Sequence, residues 1–196
     1  SLLQMLRTES SIAVDTESNS LYVYHEQVCL IQFSTRTTDY LIDPLSDIDI
    51  AALGDIFADP HIKKVFHAAE YDILCLRRDY GFEFNNLFDT MQAARILGFP
   101  KVGLSALLAE YFSVNIDKRF QKANWGRRPL PSAMLDYARF DTHYLLPLHE
   151  ILAKKLVESK RVAIAEEDFL RLAHSCSSAN AKPLFTSVHG YHTLNP

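Results

Sequence analysis

Cysteine is scarce in this 196-residue chain: Cys29 in "VCLIQF", Cys75 in "ILCLRR" and Cys176 in "HSCSS" are the only three. They are odd in number and form no C-x-x-C pair, so they argue against a disulfide framework or a zinc site. They read instead as buried free thiols in a reducing compartment. Long apolar runs are missing too: nothing approaches the roughly 20 residues that span a bilayer, and the start, "SLLQMLRTESS", has neither the basic opening nor the apolar centre of a secretory signal. The expectation is a soluble protein without a membrane partner. Positive charge is in short supply, and a net charge of -4 argues against a protein that coats nucleic acid non-specifically. Any nucleic-acid contact must come from a local basic patch, and catalysis is to be sought among the acids. Internal repeats and low-complexity tracts are absent as well.

What is present is ordinary globular composition, 48% hydrophobic and 22% charged, enough to bury a proper core. "SIAVDTES", "VCLIQFST" and "DYLIDP" alternate into short strands with polar turns between them, which predicts an antiparallel meander. "DIAALGDIFADP" predicts a helix from Asp47 through Ala58, stopped by Pro60. "KKVFHA" reads as a fourth strand, "AEYDILCLRRDYG" as a helix ending at Gly81, and "NNLFDT" as a short fifth strand or extended segment. Helices then dominate: "TMQAARILG" up to Gly98, "GLSALLAEYF", and a stretch over 132–158 with a kink expected at Pro147. The pattern predicts an α/β domain whose mixed sheet is covered on both faces. "RVAIAEEDFLRLAHS" can add a helix, whereas "CSSANAKPLFTSVHGYHTLNP" reads as linker.

Several acids stand out against this frame. "VDTE" puts Asp15 and Glu17 at i and i+2 of a strand, on one side of the sheet, where flanking Ile12 and Val14 mark a central strand. A like-charged pair is costly there unless a cation intervenes; the plainer alternative is an exposed strand end. Asp72 lies one turn into an otherwise apolar helix that follows a strand, a usual place for ligands in α/β sheets. Charge complementing the helix dipole is the other account, and it fits Glu70 better than Asp72. In "YARFDTHY", Tyr137 and Asp141 are four residues apart and so face the same space on a helix of about 3.6 residues per turn. Together, Asp15, Glu17, Asp72 and Asp141 supply hard oxygen donors suited to two Mg²⁺ or Mn²⁺ ions, which about 3.5–4 Å apart support phosphodiester hydrolysis. Tyr137 is then placed to orient a water, since a phenol with a pKa near about 10 is a poor base at neutral pH.

In this order and spacing "VDTE", "HAAEYD" and "YARFD" resemble the three exonuclease motifs of the DEDD superfamily. The tyrosine four residues before the last Asp indicates the DEDDy branch; the other branch has a histidine one position earlier, where this chain has Asp136. Within the branch the chain is similar to ribonuclease D and the exonuclease subunit of the nuclear exosome, over residues 11–158, including "NLFDTMQAARIL" and "NWGRRPLP". The resemblance implies a ribonuclease-H-like (DnaQ-like) three-layer α/β/α fold with a mixed five-stranded sheet. It also implies metal-dependent 3′-to-5′ hydrolysis of RNA to nucleoside 5′-monophosphates, in processing of tRNA or other stable RNA or in decay. On that likeness Asp15, Glu17, Asp72 and Asp141 hold two divalent ions and Tyr137 holds the water. His67 matches a histidine near the substrate, although a buried histidine bonded to backbone explains it equally well; His143 also matches and reads as structural. Two departures are Asn124, where the family usually has Asp before the tryptophan, and Gly103, where a serine usually caps the mid-domain helix.

The most basic stretch, "KRFQKANWGRRPL", carries Lys118, Arg119, Lys122, Arg127 and Arg128 with no acid among them. Such cations track phosphates, and the face of Trp125 can stack a base. The alternative is a solvated loop in which Trp125 plugs the core and Arg128 ties the loop down. Ser18 to Leu21, just after Glu17, are placed to touch the terminal nucleotide. The domain division expected is a catalytic domain over 1–158 and a helix with linker over 159–196. That tail resembles the stretch leading, in ribonuclease D, to a small helical RNA-binding domain, as if the chain were an excised catalytic domain. RNA with a single-stranded 3′ end is the expected partner, within a larger RNA-processing complex or without one, in the cytoplasm of a bacterium or the nucleus if of the exosome type. A DNA exonuclease on the same chemistry and a silent binding domain are the competing readings.

Overall fold

The structure is a computed structural model that describes residues 2–174. The expected linker, with Cys176, lies outside the described residues. Five strands form one mixed sheet in the order β3-β2-β1-β4-β5. β1 (Ser11–Ser18), β2 (Val28–Ser34) and β3 (Asp39–Ile42) make the antiparallel meander, and β4 (Lys63–Phe66) and β5 (Leu87–Asp89) continue parallel from β1. β1 is therefore the central strand.

Its alternation sorts the layers, because successive side chains leave opposite faces of a strand. Ile12 and Val14 join Ile31 and Phe33 in a core capped by helices α1 (Leu2–Thr8), α2 (Gly54–Ala58) and α3 (Glu70–Tyr80), through Leu6, Phe57 and Ile73. Ala13 faces the other way, into a core with Val65, Leu107 of α5 (Leu104–Phe112) and Leu148 and Leu152 of α7 (Leu145–Glu158). α4 (Thr90–Leu97) adds Ala93 and Ala94 to that layer. Helices thus cover both faces, the three-layer arrangement that the sequence pattern predicted. Cys29 and Cys75 are buried free thiols.

Two boundaries differ from expectation for local reasons. The helix predicted from Asp47 begins only at Ala51, as a 3-10 turn over Ala51–Leu53, and becomes α-helical at Gly54. A Cβ at Gly54 would sit 3.3 Å from the Phe82 ring, so the helix packs closely there on a bare backbone. The stretch over 132–158 does not kink at Pro147. It breaks into α6 (Ser132–His143) and α7 at Tyr144, because the ring of Pro147 would collide with the carbonyl of His143, the residue four before it. α8 (Val162–His174), the helix expected from "RVAIAEEDFLRLAHS", packs Ala165 and Phe169 into the core of α4 and α7.

α6 carries Tyr137 and Asp141, and a polar network fixes its position on the sheet. The hydroxyls of Ser34 and Thr142, both fully buried, lie 2.7 Å apart. Ser34 also donates to Asp39 at 2.6 Å, and Asp39 bonds His143 Nδ1 at 2.8 Å. His143 is therefore a strut between α6 and β3, in line with its structural reading. Thr142→Val, which removes the hydroxyl and keeps the shape, is expected to lower unfolding free energy by about 1–2 kcal/mol in urea denaturation; an unchanged midpoint would remove the network from this role.

Candidate active site

The central strand aims Asp15 and Glu17 at α6. Asp15 stands opposite Gln32 of β2 and Glu17 opposite Leu30, and a β-bulge between Glu17 and Ser18 ends the regular ladder. α6 brings Asp141 to the same place, so that one carboxylate oxygen from each of Asp15, Glu17 and Asp141 lies within 4.8 Å of the others. Tyr137, one turn earlier on α6, lines the same cavity of about 600 Å³ with these three acids, His67, Lys118 and Gln121. Sequence reasoning named a fourth acid, Asp72, which lies next to these three. Asp72 is buried at the start of α3 and accepts a 2.5 Å hydrogen bond from Thr16, the residue between Asp15 and Glu17. It is a neighbour of the three-acid cluster and not one of its members.

Proximity and burial both tell on protonation. Burial pushes Asp15 well above the usual carboxylate range, with the charges of Asp72, Asp141 and Glu17 adding to it. Glu17 is raised by burial and then by Asp141 and Asp72. Asp141 is raised to about 7 by burial and Asp72. Burial also raises Asp72 to about 7, against the hydrogen bond from Thr16. Among the described residues, none of these four acids has an ion-pair partner. Tyr137 is pushed upward by burial and by Asp141, Glu17 and Asp15, so its phenol keeps its proton.

This donor set fits a divalent cation. Its atoms are hard carboxylate oxygens, and like charges held in one poorly solvated cleft are relieved by a cation between them. Gln32 adds a second sign: its side chain, on the face of Asp15 and fully buried, has neither its Nε2 nor its Oε1 hydrogen-bonded. A buried amide without partners is costly.

His67 ends β4. Its Nδ1 lies 2.9 Å from the Thr90 hydroxyl, which donates to the carbonyl of Phe66 at 2.9 Å. The hydroxyl proton being used, Nδ1 is the protonated nitrogen and Nε2 is left as an acceptor. Burial lowers His67 to about 4, so the ring is neutral. One residue that the sequence reading quoted without assigning it a role, Asp89, organises this corner. Fully buried, it accepts from the backbone N–H groups of Ala68, Ala69, Met91 and Gln92 at 2.8–3.2 Å, capping α4 and holding the β4–α3 junction at once. Asp at the end of a short strand, just before a helical run, is the N-cap signal that could have found it.

The basic loop divides. Lys118, Lys122 and Arg127 are exposed, and Lys118 lines the cavity. Two residues expected on RNA are corrected. Trp125 is 1% exposed and packs beside Tyr137 with ring centroids 6.1 Å apart, so no base can reach its face. Arg128 is committed within the protein: it pairs twice with Asp43 at 2.6 Å and donates to the carbonyls of Cys29, Trp125 and Arg127. Both are the plainer alternative of the sequence reading, a plugged and tied loop. Asn124 accepts from Gly126 N at 3.1 Å, a turn and not an ion pair, and Gly103 gives α5 no side-chain cap. Ser18 lies 3.1 Å from the Tyr71 hydroxyl, and Leu21 is exposed on the loop beyond the bulge.

A family model described as 3′-5′ exonuclease matches residues 1–157. The exosome complex component 10 homolog of Caenorhabditis elegans is 39% identical over 193 residues, which are 98% of this chain and 22% of that protein. The chain thus spans about a fifth of the length of this curated relative. Among solved structures, the catalytic core of RRP6 from Trypanosoma brucei aligns with a TM-score of 0.84 at 35% identity, covering 88% of this chain and 48% of that one. Escherichia coli RNase D, whose structure is described as that of an exoribonuclease involved in structured RNA processing, aligns with a TM-score of 0.85 at 31% identity over 92% and 48%.

The electrostatics make a prediction about stability. A carboxyl raised in the folded state binds its proton more tightly there than in the unfolded chain. Its stabilising contribution is therefore whole below about pH 4 and is lost as pH rises through about 7, the value of Asp72 and Asp141. In EDTA the thermal midpoint should fall between pH 5 and pH 8 more steeply than that of Asp141→Asn. Mn²⁺ should raise it more at pH 8 than at pH 5. Equal slopes for the two proteins would contradict the assignment.

Proposed function

The chain belongs to the 3′-5′ exonuclease family that includes RRP6 and ribonuclease D, and from that premise we propose that it removes nucleoside 5′-monophosphates from the 3′ end of RNA. The observation that carries the proposal is the meeting of Asp15, Glu17 and Asp141 within 4.8 Å, in a cavity that Tyr137 also lines. Asp15, Glu17 and Asp141, with Asp72 beside them, are the groups that would hold two Mg²⁺ or Mn²⁺ ions. When bound, such ions activate water and neutralise the charge that develops on the scissile phosphate.

The chain's own residues supply the positioning. Tyr137 keeps its proton and acts as a hydrogen-bonding guide for the attacking water, not as its base. The bare Nε2 of His67 is an acceptor for a ribose hydroxyl, which favours RNA where the hydroxyl is the 2′ group. Lys118, Lys122 and Arg127 contact phosphates without reading sequence. Ser18 and Leu21 border the terminal nucleotide. The C. elegans relative is named as an exosome component, which supports a place in a larger RNA-processing assembly.

Digestion of an RNA labelled at its 5′ end, carrying a single-stranded 3′ tail, tests the reading. With Mn²⁺ the label should move down a ladder one nucleotide at a time, and EDTA should stop it. Asp141→Asn should slow the ladder by about 10²-fold or more with the fold intact by circular dichroism, and Tyr137→Phe by up to about 100-fold. A wild-type rate for Asp141→Asn, or matched DNA degraded as fast as RNA, would overturn it.

A further inference from the structure

The loop between β1 and β2 exposes four consecutive large apolar side chains: Leu21 (67% exposed), Tyr22 (50%), Val23 (44%) and Tyr24 (76%). Among the described residues it is the only such run. A turn needs polar or small residues, not these, and a slack loop would fold them inward. This loop is not slack. Asn19, itself buried, accepts from Gln27 N through its side chain at 2.9 Å and from Tyr22 N through its carbonyl at 2.9 Å. At its far end Glu26 bonds the hydroxyl of Tyr71 and the guanidinium of Arg78, both at 2.5 Å. The backbone is held while the apolar side chains are kept in water.

Its location says what would cover it. The loop starts directly after Glu17 and the bulge, at the edge of the acidic cavity. The hydroxyl of Tyr22 donates to the carbonyl of Lys122 at 2.5 Å, and a Cβ on Gly126 would lie 3.2 Å from Asn19 Nδ2, so the apolar loop and the basic loop are bound edge to edge. Side by side they present ring faces and the exposed cations Lys118, Lys122 and Arg127. That pairing suits a single nucleic-acid strand, whose bases stack on aromatic faces while its phosphates follow the cations. Four side chains also fall well short of the roughly 20–30 residues per side of a stable protein interface.

Resting on the exonuclease reading above, which sets Leu21 beside the terminal nucleotide, we propose that Tyr22 to Tyr24 form a stacking platform for the bases upstream of it. Tyr24, 76% exposed and meeting the His25 ring edge to face at 4.8 Å between centroids, is its outer ring, and Tyr22, held by the Lys122 carbonyl, its anchored one. The platform makes binding depend on the length of the single-stranded tail and leaves it indifferent to base identity. Bases engaged there lie outside the acidic cavity, so the platform holds the strand while its end enters.

The test is fluorescence anisotropy of 5′-labelled oligouridylates of 12 and 3 nucleotides with the full chain in Ca²⁺. Stacking on one ring corresponds to about tenfold in affinity. Tyr24→Ala is therefore expected to weaken the 12-mer about tenfold and the 3-mer less than twofold, and Tyr24→Phe, which keeps the ring, to restore the 12-mer. Unchanged 12-mer affinity in Tyr24→Ala and in the Tyr22→Ala/Tyr24→Ala double variant, in a wild type that binds RNA and degrades it in Mn²⁺, would overturn the platform and leave the exonuclease reading standing. So would equal losses at both lengths, the mark of general damage, as would failure of Tyr24→Phe to restore binding. A wild type that neither binds nor degrades RNA would sink both.

Discussion

Like charges that crowd one another in a poorly solvated cleft are the constraint on which the site depends. Asp15, Glu17 and Asp141 converge there, Asp72 adds its field from behind Thr16, and no described cation is paired with any of them. A fold does not hold such an arrangement by accident of packing, because each acid would gain by turning toward water. The surrounding structure prevents that. β1 is fixed on both sides, by β2 and β4, and the hydroxyls of Thr142 and Ser34 pin α6 to the sheet one residue past Asp141. Trp125, buried against Tyr137, closes the space behind the phenol. The rigidity sets charges at a separation that a divalent ion can bridge and that the protein alone does not relieve.

The charge distribution then divides the labour between cleft and rim. A chain of net charge -4 with an acidic cleft repels a polyanion except where its surface is locally basic. The exposed part of the basic loop supplies that locality, while Arg128 is spent internally, clamping the loop to Asp43 and to the carbonyl of Cys29. The two arginines at 127 and 128 thus differ in kind: one faces water, the other is a fastening.

Much of this was legible in the sequence, and what was not has physical reasons. The period-2 alternation around Asp15 and Glu17 and the i, i+4 spacing of Tyr137 and Asp141 are local geometry, so they carried directly into the coordinates. Gly81 and Gly98 end their helices as read, and the structure gives both a positive φ. The position of Asp72 was less accessible, because its hydrogen bond to Thr16 joins residues 56 apart and competes with the cluster. The break at Tyr144 turned on which backbone carbonyl a proline ring strikes, a matter of one turn that a hydrophobic pattern does not resolve. Trp125 and Arg128 look like nucleic-acid contacts by residue type, since the same guanidinium and indole serve a phosphate and a base or a carboxylate and a core; only burial separates the two. The cap that Asp89 gives α4 was within reach of a local signal, but its hold on Ala68 and Ala69, about 20 residues away, was not, and the placement of Gln32 opposite Asp15 needed the strand register.

Anomalous scattering from crystals of the protein soaked in Mn²⁺ addresses the central claim most directly. The account predicts a strong peak enclosed by the carboxylates of Asp15, Glu17 and Asp141 and a second one bordered by Asp72. A cleft without Mn²⁺, at concentrations that support hydrolysis, would contradict it.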